Sequence, residues 1–389
     1  MKQLSKMMLA AVATVALAAP AFAWDFSASG SSSATYKRET ISSGVAGAKD
    51  DVNNAYSSSA GGVTVSSSHS DGPNSATFSY TADWNGDDGN FDEYVKVSGT
   101  KKVGNWTASS STTQHIQKDV TGPGDQAPMT AGATAAITLT DGSITYTLGD
   151  ASHLSTSEKA VNGPMSGQVD AEARVDSFNG FSVGLGVGPG TLTVAIDENN
   201  GTATTALGDL STAVACGANS LGYGLNFSGN VGVDLSFTYG SGSSTASADT
   251  CGDNSSTKSN TASASTMGLG VGVPIGGMSL ALDYESSAWD KKEDTTETKD
   301  TKSGFEVSFT MPVGDATVGL NVSSQEAKTS VAGTDTAKTS TAGTEVWYTV
   351  PIGPVGLSVG YGSSAVTTGV GTTVTATTTQ MGAEMTMSF

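Results

Sequence analysis

Apolar and polar residues alternate in short segments along most of this chain. In residues 381–389 the apolar side chains occupy every second position: Met381, Ala383, Met385, Met387 and Phe389. A period of two is the side-chain period of a β-strand, in which successive residues point to opposite faces of the sheet. Segments of the same kind occur at 76–84 and 231–239, and each has about the length of a tilted strand that crosses the hydrocarbon of a membrane. No window has helical periodicity, so the pattern predicts an all-β protein.

The connections between these segments alternate between tight turns and long polar stretches. Tight turns are predicted at SFNG (177–180) and in three similar hairpins whose turns are PIGG, PVGD and PIGP, at 274–277, 312–315 and 351–354. Long Ser-, Thr- and Gly-rich connections, such as 285–303 and 323–343, lie between them. Short turns at one end and long loops at the other are typical of an outer-membrane barrel. The prediction is a transmembrane antiparallel β-barrel with short periplasmic turns and long extracellular loops.

The preferred number of strands is 18, and 16 is the alternative. Segment 167–176 is counted as one strand, and segment 181–197 as the next. The latter is interpreted as a single long strand with a kink at Gly188-Pro189-Gly190, because this keeps the number even; a hairpin there would make it odd.

The N-terminus has the features of a secretory signal peptide. Lys2 and Lys6 precede an uncharged stretch from Met7 to Ala18, and small residues mark a cleavage site after Ala23. The apolar stretch is too short to span a bilayer. The predicted organisation is a signal peptide at 1–23 and one β-barrel domain at 24–389, located in the outer membrane and surrounded by its lipid.

The chain is strongly acidic. Its net charge is −19, and removal of the two lysines of the signal peptide leaves −21. This charge opposes binding to nucleic acid and to anionic surfaces, so no nucleic-acid partner is predicted, and it favours cations as partners. The only arginines are Arg38 and Arg174.

These features together resemble the general, or Gram-negative, porins. The resemblance is carried by the signal peptide, by the terminal Phe389 on an alternating strand, by ITLTDGSITYTLGDA at 137–151 and by RVDSFNGFSVG at 174–184. The third of these is similar to the strand–turn–strand that precedes the porin constriction loop, and the fourth to the hairpin that follows it. The resemblance implies a homotrimer whose segment 151–166 folds inward, and a water-filled channel for passive diffusion of small hydrophilic solutes and ions. Phe389 would be the assembly signal.

Charged residues on the polar face of each strand are candidate pore-lining residues. They are Asp83, Asp170, Glu172, Asp197, Asp234, Asp283, Glu306, Glu345, Glu384, Lys96 and Arg174. An excess of carboxylates favours cations in a confined pore, although carboxylates can also merely keep a wet wall solvated. Asp170, Glu172 and Arg174 share a strand face and are the first-choice selectivity residues. The second choice comprises loop residues Asp150, His153, Glu158 and Lys159. The family's usual arginine cluster has no counterpart here.

Two further groups of residues were considered as sites. Cys216 and Cys251 lie in long connections and are predicted to form a disulfide, with two free thiols as the alternative. Asp83, Asn85 and Asp87 have the spacing of calcium ligands, but Asp88 stands where such a loop needs Gly, so a solvated acidic loop is preferred.

The other function classes have less support. The three histidines accompany no nucleophile motif, so neither an enzyme nor a cofactor is predicted. A substrate-specific channel, for example for sugars, would need a ladder of aromatic residues along the lumen, and only Trp347 faces inward in this interpretation. A Ser/Thr-rich structural or adhesive surface protein would need repeats of fixed length, whereas the hairpins here are unevenly spaced.

Overall fold

The computed structural model describes residues 25–45, 49–85, 90–117, 133–154, 158–165, 178–203, 214–246, 260–293 and 296–389. The predicted signal peptide lies outside these ranges. Among the described residues, no helix has both the length and the apolar character needed to cross a membrane.

Eighteen β-strands form one antiparallel sheet, and β18 pairs with β1 so that the sheet closes into a barrel. The strands are β1 Asp25–Ser42, β2 Asp51–Asp71, β3 Asn74–Asn85, β4 Asn90–Val103, β5 Trp106–Gln117, β6 Ala133–Thr140, β7 Ile144–Ala151, β8 Phe178–Val187, β9 Gly190–Ala203, β10 Val214–Asn230, β11 Asp234–Ala246, β12 Asn260–Ile275, β13 Met278–Glu293, β14 Thr296–Val313, β15 Ala316–Val331, β16 Thr334–Ile352, β17 Val355–Thr368 and β18 Val374–Ser388. The predicted fold class and the preferred count of 18 are confirmed. The closed sheet also excludes the β-solenoid on which the adhesive alternative depended.

Two compact units make up the sheet. The described residues of the first unit fall within Met1–Ser33, Ser58–Asp141 and Met387–Phe389, and those of the second within Ala34–Ser57 and Gly142–Thr386. Within each unit, successive hairpins have alternating connections, short at one end and mostly longer at the other. Residues 72–73 and 104–105 are examples of the short end in the first unit, and residues 276–277, 314–315 and 353–354 in the second.

The prediction of one long strand at 181–197 was wrong. Its residues belong to two strands, β8 and β9, whose ladder ends at the pair Val187–Gly190. Gly188 has φ +57°, and Pro189 has no N–H to donate, so the chain turns there instead of kinking. The turn predicted at 177–180 was also wrong, because β8 already begins at Phe178. β7 pairs directly with β8, which leaves residues 152–177 as their connection. The predicted strand 167–176 lies outside the described residues.

Two of the long connections predicted from composition are themselves paired strand. Residues 285–303 mostly belong to β13 and β14, and residues 323–343 to β15 and β16, with Ala332–Gly333 as the turn between the latter pair. Their Ser and Thr residues suit a solvated ladder because β-branched and hydroxyl side chains pair across strands.

Ion pairs reinforce the outer part of the β15–β16 hairpin. Lys328 and Lys338 lie directly opposite each other, and each binds an acid on the other strand: Lys328 to Asp335 at 2.9 Å, and Lys338 to Glu326 at 2.9 Å. Hydrogen bonds from Lys328 and then Ser330 lower the pKa of Asp335. Because the folded-state pKa is depressed, this contribution to stability is present near neutral pH and is lost as the pH falls through that value.

The outward face of the second unit is apolar. On β13, β14, β15 and β16 the outward positions carry large exposed side chains: Leu280, Leu282, Tyr284, Phe305, Leu320, Val322, Val346 and Tyr348. The inward positions between them are buried: Asp283 and Asn321 are polar, whereas Ala281 and Trp347 are apolar. This is the alternation of a strand with lipid on one side and a polar interior on the other.

The C-terminus closes a ladder in the first unit. The backbone N–H of Gly30 donates to the carbonyl of Phe389 at 2.8 Å, and the N–H of Phe389 donates to the carbonyl of Gly30 at 3.0 Å. The Phe389 ring covers Gly30, and a Cβ at this position would lie 2.5 Å from the ring. A side chain at position 30 would therefore displace the terminal ring. The role of Phe389 as an assembly signal stays a prediction.

We expect Gly30→Ala to lower the free energy of unfolding by about 1–3 kcal/mol, because the added methyl group overpacks the Phe389 ring. Gly186→Ala is the matched control, since its Cβ would meet only the Ser143 carbonyl oxygen, at 3.6 Å. The urea midpoint of each variant, refolded in detergent micelles, measures the effect. Equal midpoints for the two variants would contradict this packing.

Candidate functional site

The candidate site is the inward face of β13–β16, where part of the β7–β8 connection packs against the wall. Asp283, Glu306 and Glu345 are 1%, 1% and 0% exposed, while their chain neighbours Leu282 and Val346 are 40% and 47% exposed on the opposite face. Buried carboxylates are rare unless they are paired or hydrogen-bonded. Here the backbone of the connection covers them.

The connection begins with two anchored residues. His153 is buried, with Nε2 2.7 Å from the Gly149 carbonyl oxygen and Nδ1 2.9 Å from Ser182 Oγ. Because a carbonyl only accepts, Nε2–H is the donor to Gly149, and the Ser182 hydroxyl is the hydrogen-bond partner of Nδ1. Leu154 is fully buried and lies over Gly224 of β10, where a Cβ would stand 2.3 Å from its Cδ1 atom. These contacts direct the chain onto the inner wall.

Asp283 on β13 holds the next described stretch of the connection. The Lys159 N–H lies 2.8 Å from Asp283 Oδ1 and 2.7 Å from Oδ2, and the Ala160 N–H donates to Oδ2 as well. Two successive backbone donors thus converge on one carboxylate, an arrangement of charge-assisted hydrogen bonds.

Polar side chains of β14 and β15 continue the contact. The Val161 N–H donates to Ser308 Oγ at 2.9 Å. Asn321 Nδ2 lies 3.3 Å from the Val161 carbonyl oxygen and 2.8 Å from Asn162 Oδ1, and it also donates to Glu306. Glu306 therefore orients the amide that contacts the connection.

Glu345 on β16 holds the last described stretch. It accepts from the Gly163 N–H at 3.0 Å and from the Met165 N–H at 2.6 Å. A Cβ at Gly163 would lie 2.5 Å from Glu345 Oε1, so only glycine permits this approach. Met165 is fully buried over Gly360 of β17, with its Cγ 3.1 Å from the position of a Cβ there.

Residues 158–165 therefore cross the inner wall from one strand to the next, from Asp283 on β13 to Gly360 on β17. Adjacent strands are about 4.8 Å apart and an extended chain advances about 3.3 Å per residue, so one or two residues suffice for each strand crossed. The segment donates backbone N–H groups to the wall because, in the described chain, no strand runs beside it that could accept them.

The three similar hairpins explain why these contacts lie at the same distance from the short turns along their strands. Six residues after the PIGG, PVGD and PIGP turns stand Asp283, Asn321 and Gly360, and all three contact the connection. Asn321, Ser308, Gly163 and Gly360 were missed from the sequence. An alignment of the three hairpins would have shown that this position carries Asp, Asn or Gly, which is a polar side chain or none.

The structure sorts the predicted pore-lining residues by accessibility. Asp283, Glu306 and Glu345 are buried beneath the connection, whereas Lys96 and Asp234 are exposed and Asp83, Asp150, Glu158, Lys159 and Glu384 are partly exposed. Asp234 also accepts from Asn230 Nδ2 at 2.6 Å. Asp197 lies in β9, but its side chain is not described. Asp170, Glu172 and Arg174 lie outside the described residues, so the roles predicted for them stay predictions.

The predicted disulfide and calcium ligands are only partly within the described chain. Cys216 belongs to β10 and Asn85 to β3, but neither side chain is described, and Cys251 and Asp87 lie outside the described residues. Where side chains are described, no group of three or more His, Cys, Asp or Glu residues could hold a metal ion. Both sites stay predictions.

The closed barrel and its polar inner face define an outer-membrane channel. The sequence profile of Gram-negative porins matches residues 7–348, so the chain belongs to the Gram-negative porin family.

Solved structures of outer-membrane channels are similar over most of their length. The outer-membrane channel DcaP of Acinetobacter baumannii has 11% identity and a TM-score of 0.51, with 94% of this chain and 97% of that chain covered. The anion-selective porin from Comamonas acidovorans has 14% identity and a TM-score of 0.46, with 94% and 100% covered. The trimer form of OmpT from Vibrio cholerae has 9% identity and a TM-score of 0.47, with 94% and 99% covered. At these identities the likeness shows the fold alone. Curated proteins gave no match.

We expect Glu345→Gln to loosen residues 158–165, the inward segment. The amide can accept only one of the two backbone N–H groups, and its NH2 faces the other. Losing a hydrogen bond to a charged group costs about 1.5–3 kcal/mol, which corresponds to roughly 10–100-fold faster amide exchange at Gly163 and Met165. Hydrogen exchange of a peptide that covers 158–165 measures this.

Glu384→Gln is the control for that exchange experiment, because Glu384 is on an inward face but no hydrogen bond joins it to the segment in the described chain. Unchanged exchange in Glu345→Gln would show that the carboxylate does not hold the segment.

Proposed function

We propose that the protein is a porin that lets small hydrophilic solutes and ions diffuse passively through a water-filled lumen partly occluded by the β7–β8 connection. The observation that carries this proposal is the hydrogen bonding of residues 158–165 to Asp283, Ser308, Asn321 and Glu345 on the inner wall. A segment held in this way against a polar inner wall narrows the lumen without closing it. No catalytic step and no cofactor are part of this proposal.

We further propose a preference for cations. The net charge of −21 after signal-peptide removal supports it, as do the partly or fully exposed carboxylates at Asp150, Glu158, Asp234 and Glu384. A lumen with excess negative charge raises the local concentration of cations. The buried Asp283, Glu306 and Glu345 bind protein groups instead of facing the solution, so their neutralisation would act mainly through the position of the segment. Asp170 and Glu172 remain the first candidates for selectivity.

Under a potassium chloride gradient across a planar bilayer, we expect the reversal potential to have the sign that a cation-selective channel produces. Asp170→Asn combined with Glu172→Gln should move this potential toward zero, because two negative charges leave the lumen. Asp315→Asn, on the exposed short turn, is the control and should leave the potential near that of the unaltered protein. Zero or anion-selective potential in the unaltered protein would contradict the proposed preference.

We also propose that the protein is a homotrimer that associates through the outward face of β4 and β5. On β5 this face carries Ser110 and Thr112, paired with Gly99 and with the exposed Val97 of β4. Both hydroxyl-bearing residues are exposed. Hydroxyl groups that face lipid lack solvent partners, and small residues let two backbones approach closely. Large apolar residues such as Leu320 occupy the corresponding face of β15.

A photo-cross-linking amino acid at Ser110 should therefore join protomers into dimers and trimers on a denaturing gel. The same amino acid at Leu320 should yield mainly lipid adducts. Cross-links between protomers from Leu320 but not from Ser110 would contradict the proposed interface.

A further inference from the structure

A groove of about 660 Å³ lies on the outward face of the second unit, where β15–β18 meet β1. It is lined chiefly by Tyr36, Arg38, Tyr348, Val359, Tyr361 and Met381. Apart from the arginine, these side chains are aromatic or aliphatic. The groove lies opposite the inward segment, on the other face of the same wall, so it plays no part in the channel proposed above.

The strand register arranges the lining residues in two rows. Val318 pairs with Tyr348 and Tyr348 with Val359 in one row, and Val346 pairs with Tyr361 in the next. Met381 extends the second row on β18, and Tyr36 and Arg38 complete the groove on β1. Three tyrosine side chains, those of Tyr36, Tyr348 and Tyr361, therefore line the groove.

On β16 and β17 the apolar surface ends just above the second row, whereas on β15 the exposed Val322, which pairs with Thr344, continues it. The next outward positions on β16 and β17 are Thr344 and Ser363, which pair with each other. On β1 the next residue on the same face is Thr40, two positions after Arg38. Arg38 thus lies at the boundary between the apolar band and a row of hydroxyl groups, on the side away from the short turn at 353–354.

Arg38 is an exposed cation at this boundary. No ion pair or hydrogen bond of its guanidinium occurs in the part of the chain that the structure describes. An arginine on the lipid face is unfavourable at the centre of a bilayer and is tolerated near its surface, where phosphate groups lie. Its planar fork binds phosphate oxygens in pairs.

We propose that this groove binds a phosphate-bearing lipid of the outer leaflet. The phosphate contacts the Arg38 guanidinium and the neighbouring hydroxyl row, and one acyl chain lies along Tyr36, Val359 and Tyr348. An anionic amphiphile fits this groove because its acyl chain suits the apolar lining. Its charged group suits the unpaired cation at the upper edge. A second copy of this chain is the other occupant that could cover an apolar groove, but the association proposed above is through β4 and β5, outside this groove.

Native mass spectrometry of the folded protein in detergent tests this, with dioleoyl phosphatidic acid and dioleoylglycerol as probes that differ only in the phosphate. We expect phosphatidic acid to be retained more than dioleoylglycerol. Arg38→Gln should reduce its retention roughly fivefold, and Arg38→Lys should preserve most of it. Equal retention by Arg38→Gln and the unaltered protein would overturn the proposal.

Tyr361→Ala provides a second variant that does not depend on the arginine, and it should weaken binding of both probes. Tyr284→Ala is its matched control, because Tyr284 is also outward and 37% exposed but lies outside the groove. A photo-cross-linking amino acid at Tyr361 tests the other occupant: cross-links between protomers would overturn the proposal.

Discussion

A backbone N–H group inside hydrocarbon has no water to bind, so every strand of this protein needs a hydrogen-bonded neighbour on both sides. The structure meets this requirement by closing 18 strands on themselves, and the mutual hydrogen bonds of Gly30 and Phe389 are part of that closure. Once the sheet is closed, its two faces meet different surroundings. The alternation of large apolar and buried polar side chains along β13–β16 follows directly from this constraint.

The same requirement explains the interior. The inward segment at 158–165 has no strand beside it, yet its N–H groups still need acceptors. Asp283 and Glu345 supply them, each accepting from two backbone groups, and Ser308 supplies another acceptor between them. The sequence pattern assigns these carboxylates to the pore surface, but in the structure they hold the inward segment in place. The charge that acts on permeating ions must come from other, more accessible residues.

Local patterns were enough to predict the barrel, because alternation and turn chemistry act over a few residues. The inward orientation of Asp283, Glu306 and Glu345 also followed from alternation alone. Their burial did not, since the partners of Asp283 lie more than a hundred residues away, at Lys159 and Ala160. The prediction of long loops at 285–303 and 323–343 was wrong. It rested on their Ser and Thr residues, which instead form paired strands above the apolar band. The requirement for an even number of strands favoured a kink at Gly188–Pro189, but the chain turns there and the described strands still number 18.

The central claim is that wall carboxylates hold the inward segment so that it limits the channel. Single-channel conductance in planar bilayers tests this most directly, comparing the unaltered protein with a variant that combines Asp283→Asn and Glu345→Gln. The account predicts a steady open current for the unaltered protein and a larger or strongly fluctuating current for the variant. An identical current from both proteins, or no current from correctly folded protein, would contradict it.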